Sequence, residues 1–229
     1  MAFVKAVLFD VDFTLIYPGR VFQGDGYVEW GHRFGMSLDS ARFSAAVAAA
    51  MPLLDAGDER YHHELFVRYT AAIIEGMGGA GGTLKACARE MYDEWALCHH
   101  FHLYDDVRPV LQRLAAEGIK VGLVSNSHRC LDTFQGHFGL DGLIHAAVSS
   151  SEHGYLKPHP SIFAEALFRL GVGAESAVMV GDSLAHDVQG ALGVGMRAVL
   201  LSRGAPELGA LSPGSVPVIR TLADLHRLL

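Results

Sequence analysis

Two aspartates one residue apart, Asp10 and Asp12, follow directly on the apolar run Ala6-Val7-Leu8-Phe9, and Thr14 stands two positions further on. A continuous apolar run of that length reads as a strand buried on both faces. Placing two carboxylates at its tip is unfavourable unless a cation or hydrogen-bond donors compensate them. In an open parallel sheet, the carboxyl ends of the strands border the crevice where ligands bind. The pair is therefore a candidate divalent-metal site with one oxygen left as a nucleophile. Taken alone, the same pattern also fits a loop in which an aspartate caps the next helix.

Three later stretches repeat the theme of an apolar segment ending in reactive groups. Leu123-Val124-Ser125-Asn126-Ser127 ends on a hydroxyl and an amide, a tip that can offer Oγ and backbone N–H groups to an anion or serve as an ordinary helix cap. In Leu156-Lys157-Pro158-His159-Pro160, Pro158 biases Lys157 towards extended backbone ahead of a helix. A lysine held there can neutralise charge on a transferring group, although most lysines are simply solvated. Val178-Met179-Val180-Gly181-Asp182 again ends a buried strand in an acid, and Asp187 opens the next helix, where it can also complement the helix dipole. Gly181 permits close backbone approach.

The elements that must position these groups fall into two textures. From about Val21 to Tyr104 the pattern is almost entirely helical, with no convincing strand. Asp39 or Ser37 is a candidate cap for a helix to about Met51. Asp58 could start a second helix through Ile74, and Thr83 could cap a third reaching about His100. Such amphipathic helices pack as a small bundle. From Asp105 onward helix and strand alternate. Helices are predicted over 106–117, 128–138, 161–170 and 187–192, strands over 120–124, 145–149, 177–180 and 197–201, and a closing surface helix over 221–229. Alternation with short connections predicts an α/β fold: a doubly wound, Rossmann-like parallel sheet core with an inserted helical bundle. The core is predicted over residues 1–17 and 105–229, the insertion over 18–104.

Taken in order, the buried strand with Asp10-x-Asp12-x-Thr14, then Ser125-Asn126, then Lys157-Pro158, then Gly181-Asp182-Ser183 with Asp187, resembles the haloacid dehalogenase (HAD) superfamily across essentially the whole chain. The helical insertion resembles that superfamily's C1 cap. The resemblance implies a phosphatase acting on a small phosphomonoester metabolite through an aspartyl-phosphate. Asp10 would be the nucleophile, and Asp12 the acid for the leaving oxygen and the base for water. Mg2+ would be held by Asp10, the main-chain carbonyl of Asp12, and Asp182, with Asp187 acting through water or by orienting a neighbour. Thr14, Ser125 and Asn126 would position the phosphoryl group, and Lys157 would stabilise Asp10 and the phosphoryl charge. One departure is Phe13, where many members have glycine.

Rival readings are a phosphomutase or other phosphoryl transferase, a 2-haloacid dehalogenase, and a catalytically idle HAD-like binding module. Halide leaves without a proton, so a dehalogenase has no need of a carboxylate at Asp12, and an idle module would be expected to lose an acid. The cap segment is also dense in histidine, His62-His63 and Cys98-His99-His100-x-His102. Adjacent residues on a helix diverge, so these read as a histidine-rich surface rather than a zinc site.

Composition narrows the partners. The chain has 229 residues, half of them hydrophobic and 19% charged, enough for a substantial core and unlike a disordered chain. A formal charge of −7 argues against a nucleic-acid partner. Cys87, Cys98 and Cys130 are odd in number and widely spaced, which predicts a reducing compartment without a disulfide framework. With no basic-then-apolar leader, and Pro52 interrupting the apolar 45–54 segment, the expectation is a cytoplasmic protein with no membrane segment. Whether it is a monomer or a homodimer stays open.

Overall fold

The structure, a computed structural model, describes residues 3–55, 58–204 and 216–229. Its strands are, in chain order, β1 (Ala6–Phe9), β2 (Ile16–Pro18), β3 (Phe101–Leu103), β4 (Lys120–Ser125), β5 (Ala146–Ser149), β6 (Ala177–Gly181), β7 (Arg197–Leu201) and β8 (Val218–Ile219). Six of them form one sheet in the order β5-β4-β1-β6-β7-β8, and its pairings are parallel throughout. The chain divides into two compact units, Met1–Tyr17 with Leu103–Leu229, and Pro18–His102.

In the first unit, β1 is buried at all four positions and has β4 on one side and β6 on the other. The strand order reverses at β1, so the crevice beyond its carboxyl end is the topological switch point of the sheet. Phe9 is in register with Leu123 and Val180, which brings Asp10, Ser125 and Gly181 to one end of the sheet. One face is covered by the helix Pro160–Leu170, whose Ile162, Phe163, Ala166 and Leu170 pack with Leu8, Val124 and Met179. That helix stops at Gly171, where φ of +65° suits glycine.

Several boundaries depart from the sequence expectation for local reasons. The helix expected from His128 begins at Leu131, leaving residues 128–130 outside any helix or strand. The helix expected over 187–192 is a π-helical turn, Leu184–Gln189, followed by Gly190–Gly193. The closing helix is a 3-10 segment, Leu222–Arg227, that buries Leu222 and Leu225.

The second unit is mostly helical: Gly24–Arg33, Phe43–Ala50, Pro52–Asp55, His63–Gly76 and Leu84–Trp95. Its core gathers Trp30, Leu38, Val67, Ile74, Met77, Cys87 and Met91. The small residues of Phe43–Ala50 let it lie close to His63–Gly76: a Cβ on Gly76 would meet the Ala46 Cβ at 2.7 Å. The second helix starts at His63 rather than Asp58, whose carboxylate accepts from the Arg60 N–H. The third ends at Trp95, because Cys98–His100 forms a 3-10 turn and Phe101 enters β3, which the sequence reading had not anticipated. The Thr83 hydroxyl donates to the Phe34 carbonyl at 2.8 Å instead of capping. Among the described residues, no helix is long and apolar enough to cross a membrane.

Candidate active site

Beyond β1 the chain turns back on itself, with Leu15 and Ile16 N–H groups donating to the Val11 carbonyl and Phe13 N–H to the Ile16 carbonyl. Phe13 takes the left-handed conformation, φ +63°, which is uncommon for a residue with a Cβ. Asp10 is held at the strand end by its N–H on the Val180 carbonyl and is buried.

Lys157 meets Asp10 there. Its Nζ donates to Asp10 Oδ1 at 2.6 Å and to Asp187 Oδ1 at 2.7 Å, and the ammonium is buried. The Asn126 amide clamps the lysine backbone from both ends, accepting from Lys157 N at 2.7 Å and donating to its carbonyl at 3.0 Å. That side-chain amide thereby places Lys157. Gly190 leaves room for the same segment, since a Cβ would strike the Phe163 ring at 2.7 Å and the Pro158 Cα at 3.1 Å.

Asp187 reaches Lys157 from the π-helical turn, a form of helix that recurs at functional sites. Its second oxygen accepts from Ser183 N–H at 3.0 Å. Gly181 makes this possible, because a Cβ there would lie 2.2 Å from Asp187 Oδ2. Asp10, Asp182 and Asp187 each bring a carboxylate oxygen within 4.8 Å of the others. Ser125, the last residue of β4, is buried and donates to Ser127 Oγ at 3.0 Å. Thr14 is fully buried, its hydroxyl without a hydrogen-bond partner among the described residues, while its carbonyl accepts from Arg203. Arg203 also forms a two-pronged ion pair with Asp106, which accepts from Thr221 and the Leu222 N–H.

Electrostatically the cluster carries more acid than its single ammonium offsets. Burial pushes the Asp10 carboxyl well above the usual range; Lys157 opposes this, and Asp187 and Asp182 add to it. Enclosure and then Asp187 push Asp182 up to about 6, although its outer edge is exposed to solvent that tempers the effect. Burial alone would lower Lys157, but Asp10 and Asp187 outweigh it and hold the ammonium above its ordinary value. Lys157 therefore stays charged, and the surplus negative charge falls on the three acids. A divalent cation is the natural complement of such an oxygen-rich group.

Asp12 faces a different neighbour. Both its oxygens lie 3.0 Å from Nη1 of Arg129, a side chain buried to 1% exposure. The sequence reading missed Arg129 because it placed this residue inside a helix. Residues 128–130 lie ahead of the helix instead, and the Arg129 side chain meets Asp12.

Residues 4–195 match the sequence profile of haloacid dehalogenase-like hydrolases. The chain belongs to that family. This HAD-like hydrolase is 32% identical over 207 residues to a glyceraldehyde 3-phosphate phosphatase of Methanopyrus kandleri, covering 88% of this chain and 85% of the relative. It is 28% identical over 201 residues to a ribulose-1,5-bisphosphate 5-phosphatase of Halopiger xanaduensis, covering 85% and 83%. The crystal structure of a HAD phosphatase from Thermococcus onnurineus superposes with a TM-score of 0.66 at 26% identity, covering 98% of this chain and 97% of the other.

The helical unit of this HAD-like hydrolase holds a cavity of about 280 Å³ lined in part by Trp30, Arg33, Glu90, Glu94 and His100. Several of its histidines have carboxylate neighbours: His62 with Asp58 at 3.5 Å, His63 with Asp93 at 2.7 Å and His100 with Glu94 at 2.7 Å. Glu94, His99 and His100 also bring one ligand-type atom each within 4.8 Å of the others, a closeness that the sequence reading of diverging histidines did not anticipate.

Proposed function

We propose that the protein is a Mg2+-dependent phosphatase that hydrolyses a small phosphomonoester, with short sugar phosphates as the first class to test, through an aspartyl-phosphate on Asp10. The observation that carries this reading is the setting of Asp10: one buried carboxylate with Lys157 Nζ at 2.6 Å and two further acids close by. Nucleophile and phosphate monoester are both anions, so their approach requires compensating positive charge. The named activities of the Methanopyrus and Halopiger relatives support the substrate class.

The residues present fit a divalent cation, since three carboxylates share one ammonium. Asp10, Asp182 and the Asp12 carbonyl would hold the ion, with Asp187 fixed behind them by Lys157 and Ser183. Bound Mg2+ supplies charge neutralisation for the phosphoryl oxygens. Asp10, freed on one oxygen, attacks phosphorus. Asp12 gives a proton to the leaving oxygen and takes one from the water that then attacks. Lys157 keeps Asp10 oriented and offsets charge as the phosphoryl group arrives. Ser125 and backbone N–H groups after β4 position its oxygens. Residues 18–104 serve in this reading as a C1-type cap that selects the leaving group.

The test is phosphate release from a panel of sugar, triose and nucleotide monophosphates with Mg2+ and with chelator, using Asp10→Asn as the blank. Mg2+-dependent release by the wild type, reduced about 10³-fold or more in Asp10→Asn, is the expected result. Equal activity of the two proteins, or halide release from 2-haloacids without metal, overturns the reading.

A further inference from the structure

Arg129 is a buried cation with no part in the reaction as described so far. It sits on the segment between β4 and the helix Leu131–Phe138. That segment is anchored: the Ser127 carbonyl accepts from Ser150 Oγ and from the Ser151 N–H, each at 3.3 Å, and Ser127 Oγ accepts from Ser125 Oγ. Burying a guanidinium is unfavourable unless it is paired. Here its Nη1 lies 3.0 Å from each oxygen of Asp12, 117 residues away in the chain. Asp12 itself is only partly buried, with 17% of its side chain exposed. Without a partner, a short carboxylate at such a position is free to change rotamer.

We infer that Arg129 is a positioning residue that fixes the Asp12 carboxylate for both of its proton transfers. The inference rests on the phosphatase reading and on Asp12 as its acid and base. In the first step the Asp10 oxygen bonds to phosphorus, the bond from phosphorus to the leaving oxygen breaks, and Asp12 gives that oxygen its proton. In the second, water bonds to phosphorus, the bond to Asp10 breaks, and Asp12 takes the water's proton. The Arg129 contact holds the Asp12 side chain in one orientation through both steps, so that the same group serves the leaving oxygen and then the water. Proton transfer of this kind is worth about 10²–10⁴-fold in rate, and its loss through misplacement is a sizeable part of that.

The experiment compares Arg129→Met with wild type on p-nitrophenyl phosphate and on a simple alkyl phosphate, both with Mg2+. The nitrophenolate leaves without a proton, so kcat/KM for the aryl ester should change by less than about threefold. The alkyl ester needs the proton, and its kcat/KM should fall about tenfold or more. Because both esters pass through the same aspartyl-phosphate, kcat should fall on both where its hydrolysis limits turnover. Arg129→Lys should recover part of the loss, and in an Asp12→Asn background Arg129→Met should have no further effect. Arg129→Gln, which retains a hydrogen-bonding head, replaces Arg129→Met if thermal unfolding shows the latter is not folded. Equal losses of kcat/KM on the two esters, no loss on either, or a further loss in the Asp12→Asn background overturns the inference while leaving the phosphatase reading intact. A folded wild type inert on both esters and on the metabolite panel overturns the phosphatase reading, and this inference with it.

Discussion

Replacing Lys157 by methionine tests the electrostatic account of the site without reference to substrate. The Lys157 ammonium contacts Asp10 at 2.6 Å and Asp187 at 2.7 Å, and the three side chains are all buried. Methionine fills a similar volume, so little packing is lost, but two carboxylates are left without their cation. Removing one partner of a buried ion pair costs about 3–5 kcal/mol, a large share of the roughly 5–15 kcal/mol that holds a domain folded. The cost should depend on pH in a definite direction. Burial, with Asp187 and Asp182 adding to it, already raises the Asp10 carboxyl, and losing the ammonium raises it further. An acid with a higher pKa folded than unfolded binds its proton preferentially in the native state, so stability is greatest at low pH and is lost as pH rises through the folded value. In the unfolded chain these aspartates titrate near about 3.9 and are ionised from pH 5 to pH 8. Lowering the pH over that range should therefore shrink the deficit of Lys157→Met by about 1.4 kcal/mol per unit for each proton the folded variant takes up beyond those the folded wild type takes up. Urea unfolding of wild type and variant at pH 8, 6.5 and 5, in chelator so that no cation substitutes for the lysine, reads this directly. A deficit that stays constant or grows towards pH 5 would refute the proposed crowding of negative charge around one ammonium.

Two further substitutions probe other parts of the fold. Phe13→Gly releases a left-handed residue that is 45% exposed, so the roughly 1–2 kcal/mol of relieved backbone strain should outweigh or match the roughly 0.5–1 kcal/mol of extra chain entropy. Thermal unfolding should show equal or higher stability, and a loss above about 1 kcal/mol contradicts the assignment of strain. Asp106→Asn removes the charge and one of the two oxygens that accept from Arg203, Thr221 and the Leu222 N–H, and should cost about 1–3 kcal/mol at pH 7. Burial acts to raise Asp106, but the Arg203, Thr221 and Leu222 donors together hold it below its ordinary value. Its contribution is thus present above about pH 4 and fades as pH falls further, and the gap between wild type and variant should close there. A gap that persists unchanged in acid would show that the ionised form is not what the three donors hold.

The sheet was readable because each of its central strands is a short apolar run stopped by a polar residue, a pattern that survives without knowledge of tertiary contacts. β1, β4, β6 and β7 lie within one residue of the expected bounds. The acids at 10 and 182 were visible for the same reason, since they mark where apolar strands end at the crevice. What sequence periodicity could not supply was the conformation of the connections. Asp187 sits on a π-helical turn whose single extra residue per turn leaves no trace in composition. β2, β3 and β8 are two or three residues long, too short for alternation to register.

Asn126 and Arg129 show a deeper limit, because their roles depend on partners far away in the chain. Asn126 has the type and place of a phosphate ligand, yet both ends of its amide are satisfied by the backbone of Lys157, 31 residues on. Arg129 has the look of a charged residue at a helix start, yet it is among the most buried side chains of the protein. In both cases the deciding fact is where a loop goes after leaving β4, and that path is set by contacts to Ser150, Ser151 and Lys157 on segments that follow later. A strand end announces that a polar group will reach the crevice. Whether that group meets the substrate or holds the residue that does is settled by the neighbouring loops, and here two of the groups next to β4 hold the lysine and the aspartate on which the proposed reaction depends.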